Sequence, residues 1–358
     1  MRFRVSLSAL LLMGLLACTG CFRSGLAPQA SILADKLDAA VFRFSAEGAF
    51  DPDGLVVRIE WDFGDGTDDV GLVVTHEYAE PGEYVVWVRV TDDEGHAGET
   101  EITVVAGCVI HVPGDFATIT EAIAAAIDGD VIQLGAQTFR EYIDFAGKAI
   151  TIRGAEEMGT TLMRPPIEFG PAPHSIVTFD SGECSDAVLE NLMIQGDQWE
   201  MYAGSAILLL ESSPTIRGCV FSTHRAQFGG AVYASDSAAQ FIGNRFLSNH
   251  AKGDGGAVCA VGNAAFPDFC DNEFADNRAD AGGAIRLQAR DLSQLAGTVQ
   301  ASQISGNTFR SNQASGAQWA IGMRGGAIHV GAGVPVVLSG NVFEGNSPTD
   351  VFFEDAYP

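Results

Sequence analysis

Lysine is nearly absent from this chain. Among 358 residues it occurs only at Lys36, Lys148 and Lys252, and Lys and Arg together number 20 against 46 Asp and Glu, a formal net charge of −26. So acidic a surface has no basic footprint, which excludes a nucleic-acid partner and electrostatic docking on anionic membranes. It also disfavours acidic polysaccharides unless a divalent cation bridges them. Long apolar runs are scarce too. The run from Val5 to Leu16 is too short to span a membrane, and no other segment is long and apolar enough. A hydrophobic fraction of 47% supplies a real core, so the chain does not read as disordered. Its length suits two domains.

The N-terminus opens on basic Met1-Arg2-Phe3-Arg4, and the apolar run ends in Leu15-Leu16-Ala17-Cys18. This string resembles the lipobox of bacterial lipoproteins. The resemblance implies a signal peptide and lipobox over 1–21, lipidation at Cys18 (alternatively Cys21), and a tether over 22–28. An ordinary secretory signal is the competing reading. Thr19 after the cysteine implies, by the same resemblance, the outer membrane or cell surface of the bacterial cell envelope. A lipid anchor would then be the chain's only membrane attachment. Export permits disulfides. Of Cys108, Cys184, Cys219, Cys259 and Cys270, the pair Cys259 and Cys270 falls in one repeat and is the expected bridge. The spacings fit no zinc motif.

Residues 29–106 alternate short apolar strands with turn signals at Asp51-Pro52-Asp53-Gly54, Gly64-Asp65-Gly66-Thr67 and Pro81-Gly82. The pattern predicts a small β-sandwich. Strands are expected over 41–45, 56–63, 73–76, 84–90 and 101–105. Trp61 to Thr67, His76-Glu77-Tyr78 and Val90 to Gly95 resemble the PKD (polycystic kidney disease) domain. This implies an Ig-like extracellular spacer or contact module without chemistry, with Trp61 as core anchor. Asp62 and Asp65 are expected to bond their own turns. Some members of that family bind calcium through aspartates like Asp51, Asp53, Asp92 and Asp93. Asp-Pro-Asp-Gly is also ordinary turn chemistry, the reading preferred here, so no cofactor is assigned.

Residues 218–346 repeat a phrase: Gly-Asn-Xaa-Phe-Xaa-Xaa-Asn, a polar run, then Gly-Gly-Ala-Ile/Val. Phe221, Phe246, Phe274, Phe309 and Phe343 recur at intervals of 25, 28, 35 and 34 residues. A period in the twenties with short β segments means a solenoid. Each phrase is too small to bury its own apolar face and needs the next coil about 4.8 Å away. Internal ladders are expected from these Phe, from Asn244, Asn272, Asn307 and Asn341, and from Asn249, Asn277, Asn312 and Asn346. The paired glycines would supply positive φ or room. The phrases resemble repeats of the polymorphic outer-membrane protein family, whose passenger regions are β-helical. Upstream, Thr118 and Glu121 form a capping box before a helical stripe of Ile119, Ala122, Ile123, Ala126 and Ile127. That stretch and the strands after it resemble the start of pectin-lyase-like folds. The expectation is an all-β chain: an Ig-like sandwich, then over 108–358 a right-handed parallel β-helix with an N-terminal capping helix.

No catalytic constellation is read. Polysaccharide lyases need a basic residue beside an acidic calcium cluster, and lysine is scarce. The strings of the polygalacturonase branch are absent. Asp254, Asp268, Asp276 and Asp280 read as turn residues rather than as a facing pair of carboxylates. The binding candidates are Trp199, Tyr202 and Trp319, aromatics between repeats that could stack on sugars. His224 and His250 are read at equivalent positions of adjacent repeats, as a stacked surface pair or alternatively an acid/base or metal pair. The insertions 288–303 and 313–324 are where solenoids place working loops. The functional expectation is a non-catalytic surface lipoprotein whose PKD spacer presents a binding rod to a glycan or surface protein. The alternative is a carbohydrate-active β-helix enzyme, a lyase or glycosidase with a divergent site.

Overall fold

The computed structural model describes residues 25–166, 175–197, 201–291, 293, 299–315 and 325–354. Its first part is a two-sheet sandwich. One sheet has three strands, Leu33–Lys36, Val41–Ser45 and Val73–Glu77; the other has four, Asp68–Val70, Val56–Asp62, Gly82–Asp92 and Ala97–Ala106. Strands 33–36 and 68–70 were not expected, since the first lacks alternation and the second is all acid and valine. Trp61 is buried as expected, its indole N–H donating to the Gly71 carbonyl at 2.9 Å. Phe44 packs against it, and Phe63 against Phe44. Asp62 and Asp65 accept from Gly64 and Thr67, as turn chemistry requires.

The second part is a parallel β-helix, and one coil shows how it closes. Gln240–Ile242 lies in a first sheet (sheet I). Gly243, at φ 63°, turns the chain into Arg245–Leu247 of sheet II. Ser248, at φ 55°, turns it again into the short His250–Ala251 of sheet IV. Gly255 and Gly256 lead into Val258–Gly262 of sheet III. A loop then brings Asp268–Cys270 beside Gln240–Ile242, in the parallel register Phe241 to Phe269. Among the described residues sheet I has nine strands, sheets II and III eight each, and sheet IV five.

Stacking puts like on like. The rings of Phe221, Phe246, Phe274, Phe309 and Phe343 follow one another at 4.7, 4.7, 4.9 and 5.1 Å, close to the strand spacing itself. Phe241 and Phe269 form a second stack on sheet I and meet the first edge-on, a pairing the repeat phrase did not reveal. The asparagines behave as a chain of amides. Asn244 gives its backbone N–H and its side-chain N–H to Asn272 Oδ1, and its other amide hydrogen to the Ile216 carbonyl of the coil before. Asn249, Asn277 and Asn312 repeat the pattern. Every buried amide in these rungs is therefore satisfied, as burial demands.

The two glycines of each pair have different duties. The first sits at positive φ, 58°, 67° and 64° at Gly229, Gly255 and Gly282. The second has no room: a methyl at Gly256 would lie 2.0 Å from the Gly283 carbonyl oxygen of the next coil. At the N-terminal end, helix α1 (Ile119–Ala125) carries the expected capping box and buries Ile119, Ala122 and Ile123 in the core. Glu141, unnoticed in the sequence, also accepts from Ile119 and Thr120 at the helix N-terminus. Lys148 donates to the carbonyls of Ile123, Ala124 and Ala126 at its C-terminus. The helix ends earlier than its stripe suggested. Ala126 is the C-cap and Ile127 is exposed, because the Asp130 carboxylate takes the Ile127 N–H.

Phe274 is fully buried between two stacked rings. Phe274→Ala is expected to destabilise the fold by about 3–5 kcal/mol, read as a shift in chemical denaturation. A shift below about 1 kcal/mol would place the ring outside the ladder.

Candidate functional site

The outer face of sheet I forms a shallow groove of about 230 Å³ lined by Gln240, Ile242, Asp268, Cys270, Gln303 and Ser305. The register makes it: residues on either side of Phe241 and Phe269 point outward, so polar side chains of three successive coils stand in rows. Asp268 Oδ1 accepts from the Gln303 N–H at 2.6 Å, and burial holds its carboxyl above the usual carboxylate range. Cys270 donates to Asp271 Oδ2 at 3.3 Å. The groove therefore offers amide donors and acceptors and one weakened acid. Such a set suits hydrogen bonds to hydroxyls, whereas glycoside hydrolysis requires a facing pair of carboxyls. Asp276 instead occupies a turn at φ 57° after sheet II, and Asp254 and Asp280 lie between sheets IV and III.

The aromatic candidates separate. Tyr202 is 77% exposed and meets Phe228 edge-on at 5.6 Å. The Phe228 ring lies over Gly253, where a methyl would approach it to 2.9 Å. Trp199 and Trp319 lie outside the described residues, as do Cys18 and Cys21.

The histidine pairing is corrected. Arg225, not His224, is the register partner of His250. His224 is fully buried and takes the place of an asparagine: its N–H donates to Asn249 Oδ1, and Nε2 donates to the Ile194 carbonyl at 2.9 Å while Nδ1 accepts from the Ser205 hydroxyl. Cys219 likewise heads the other ladder, donating its N–H to Asn244 Oδ1. The expected disulfide is corrected as well. Cys259 is a buried free thiol on sheet III and Cys270 a free thiol on sheet I, because one coil wraps both residues onto different faces.

A cluster the sequence did not announce sits on sheet III. Tyr233, Cys259, Arg286 and His329 are successive register partners. Glu354 Oε1 accepts from Arg286 Nη2 at 2.9 Å and His329 Nε2 at 2.8 Å. Burial would raise the Glu354 carboxyl, but these two partners outweigh it and hold it low. No motif spacing links 286, 329 and 354, which only the coil length brings together.

In the sandwich, Asp92 is buried and accepts from the Glu94 and His96 N–H groups, and Asp51 accepts from the Asp53 N–H. Asp93 accepts from Leu55, and Asp53 from Leu26. A carboxylate oxygen of Asp51 and one of Asp93 both lie beside Gly54. Among the described residues no three His, Cys, Asp or Glu side chains gather to hold a metal ion.

Residues 26–106 match the PKD domain family. This module is a PKD domain. A microbial collagenase of Vibrio alginolyticus is 45% identical over 62 residues, 17% of this chain and 8% of the relative. Collagenase ColQ1 of Bacillus cereus is 39% identical over 62 residues, 17% of this chain and 6% of the relative. The chain thus spans under a tenth of the length of these curated relatives. The PKD1 domain of Vibrio anguillarum Epp aligns at 28% identity over 23% of this chain and 96% of its own, TM-score 0.22. A family 28 exopolygalacturonase of Yersinia enterocolitica aligns at 9% identity over 92% of this chain and 98% of its own, TM-score 0.30. The second part itself is a parallel β-helix whose first coil is covered by helix α1.

Burial pushes the His224 imidazole down to about 4, below its ordinary 6.5. The folded state then binds fewer protons than the unfolded one between those values. Stability is full above about pH 6.5 and falls as pH drops toward 4, by about 1.4 kcal/mol per pH unit. His224→Asn, which restores the residue type of the following rungs, is expected to remove that slope. Denaturation midpoints from pH 7 to pH 4 that fall equally in both proteins would contradict this.

Proposed function

We propose that the chain is an exported, non-catalytic lipoprotein of the bacterial cell envelope, anchored through Cys18, in which the PKD domain is a spacer and the β-helix a rod that binds a glycan or surface protein. The observation that carries the reading is Tyr202, 77% exposed and braced edge-on by Phe228. A rigid, exposed aromatic held on a strand is a platform on which a sugar ring or a side chain stacks. The amide-lined groove on sheet I adds hydrogen-bonding capacity of the kind neutral hydroxyls use. The acidic excess steers the preference away from polyuronates. No part of this reading requires a metal. Calcium at the PKD aspartates would have to recruit carboxylates now committed to backbone N–H groups.

Two outcomes test it. On a glycan array the chain is expected to bind neutral glycans, and Tyr202→Ala to weaken that binding roughly tenfold, about 1.4 kcal/mol. Release of unsaturated products from pectate or alginate, followed by ultraviolet absorbance, would promote the enzyme alternative instead. Labelled palmitate is expected to enter the chain and to be lost in Cys18→Ala. Labelling that survives there but vanishes in Cys21→Ala would move the anchor three residues on.

A further inference from the structure

We propose that the outer face of sheet IV recognises a single anionic substituent, a carboxylate or a sulfate, on a glycan whose sugar ring stacks on Tyr202. The proposal rests on the reading of Tyr202 as a stacking platform and adds the chemistry of what lies beside it. Sheet IV is built from Met201–Ala203, Arg225–Phe228, His250–Ala251, Arg278–Ala279 and Gln313–Ala314. Its inward residues are small, and Ala226, Ala251 and Ala279 are buried. The residues just before them, Arg225, His250 and Arg278, stand in register with one another and with Gln313, and all four are exposed. At the strand spacing the two arginine positions lie about 10 Å apart, with an imidazole between them.

The other sheets handle their arginines differently. On sheet I, Glu190 stands in register between Arg153 and Arg217 and pairs with both. On sheet II, Glu273 pairs with Arg245 at 2.8 Å and with Arg310 at 3.8 Å. These rows alternate the sign of charge from coil to coil, since like charges at matching strand positions destabilise a sheet. On sheet IV the place between two arginines belongs to His250 instead. Among the described residues neither Arg225 nor Arg278 pairs with a carboxylate. Asp276 and Asp280 lie in the bends before and after the strand of Arg278. In a chain with 46 acidic residues against 20 basic ones, the counter-charge missing from this row points to an anion supplied from outside.

The aromatic platform adjoins the row. Met201 and Ala203 register with Ala226 and Phe228, which sets Tyr202 beside Gln227. Gln227 lies two residues along the strand from Arg225, so the backbones of Tyr202 and Arg225 are roughly 8 Å apart on the same face. A ring stacked on Tyr202 therefore brings its substituents over the Gln227 amide and toward the Arg225 guanidinium. The fork of N–H groups on arginine matches the paired oxygens of a carboxylate or of a tetrahedral oxyanion. The rest of the chain limits how much charge is welcome. At a net charge of −26 the surrounding surface repels an extended polyanion, whereas one isolated group sits within a Debye length, about 8 Å, of the row.

Arrayed glycans in matched pairs, the members differing by one carboxylate or one sulfate, test this with the full chain. The charged member of a pair is expected to half-saturate at about fivefold lower protein concentration, and added salt to narrow that gap. Arg225→Gln combined with Arg278→Gln is expected to close the gap, with a melting midpoint no lower than the parent's. Tyr202→Ala is expected to weaken both members together. A gap seen only in the carboxylate pairs, or only in the sulfate pairs, supports the proposal and identifies the group. Equal binding within every pair, or a gap that survives the double variant, would overturn the proposal and leave stacking on Tyr202 standing. So would tighter binding to a long polyuronate than to the singly charged glycans. Absence of binding to every glycan would remove the stacking reading and this proposal together.

Discussion

Everything in the β-helix depends on one coil lying at strand distance from the next. That spacing is set by backbone hydrogen bonding, yet side chains exploit it. Aromatic rings at matching positions fall into contact without adjustment, and a carboxamide at a matching position finds its own kind. Asparagine suits this use because it carries an acceptor and two donors on one short arm. In each interior rung the oxygen accepts from the coil before, and the two hydrogens serve the coils on either side. A polar residue can thus stand in the core at no desolvation deficit, and it pins the register at the turns, where the sheets lose contact with one another.

Turns in such a coil must change direction within a residue or two. Single residues at positive φ do this, and the chain places Gly, Asp, Ser, Asn, Thr, Ala or Glu at such turns. The Gly-Gly corner is different in kind. It lies where sheets IV and III of neighbouring coils crowd together, and its second glycine is required by packing rather than by conformation. This explains why the corner repeats more faithfully than the other turns, which accept several residue types.

The architecture was legible because a solenoid writes its period into its sequence. From residue 218 on, Phe, Asn and Gly-Gly each mark one corner or one face of a coil. The PKD domain was legible for a different reason, a dense run of turn and core residues from Trp61 to Thr67. Less was legible at the level of sites. His224 and His250 look equivalent in the repeat because both follow a serine or threonine turn closely. The register displaces them by one residue, and in a strand one residue separates inside from outside. Cys259 and Cys270 are near in sequence, but a coil sends near residues to different faces. The Arg286, His329 and Glu354 cluster inverts this: distant residues meet because the intervening coils have particular lengths. Pattern reading sees what repeats, and these sites are made of what does not.

The asparagine ladders have a direction. At the N-terminal rung stand His224 and Cys219, which give their N–H groups forward and need return nothing through a side-chain carbonyl. Each later rung both receives and gives, and in the last described rung Asn341 and Asn346 receive from Asn307 and Asn312. Cohesion along the axis is therefore uneven. The first coils are clamped by a helix whose carbonyls Lys148 holds, and the coils after them are bonded on both sides. A chain of nearest-neighbour interactions opens from its weakest member. A nascent chain, which acquires this clamped end first, has a finished template on which to wind each later coil.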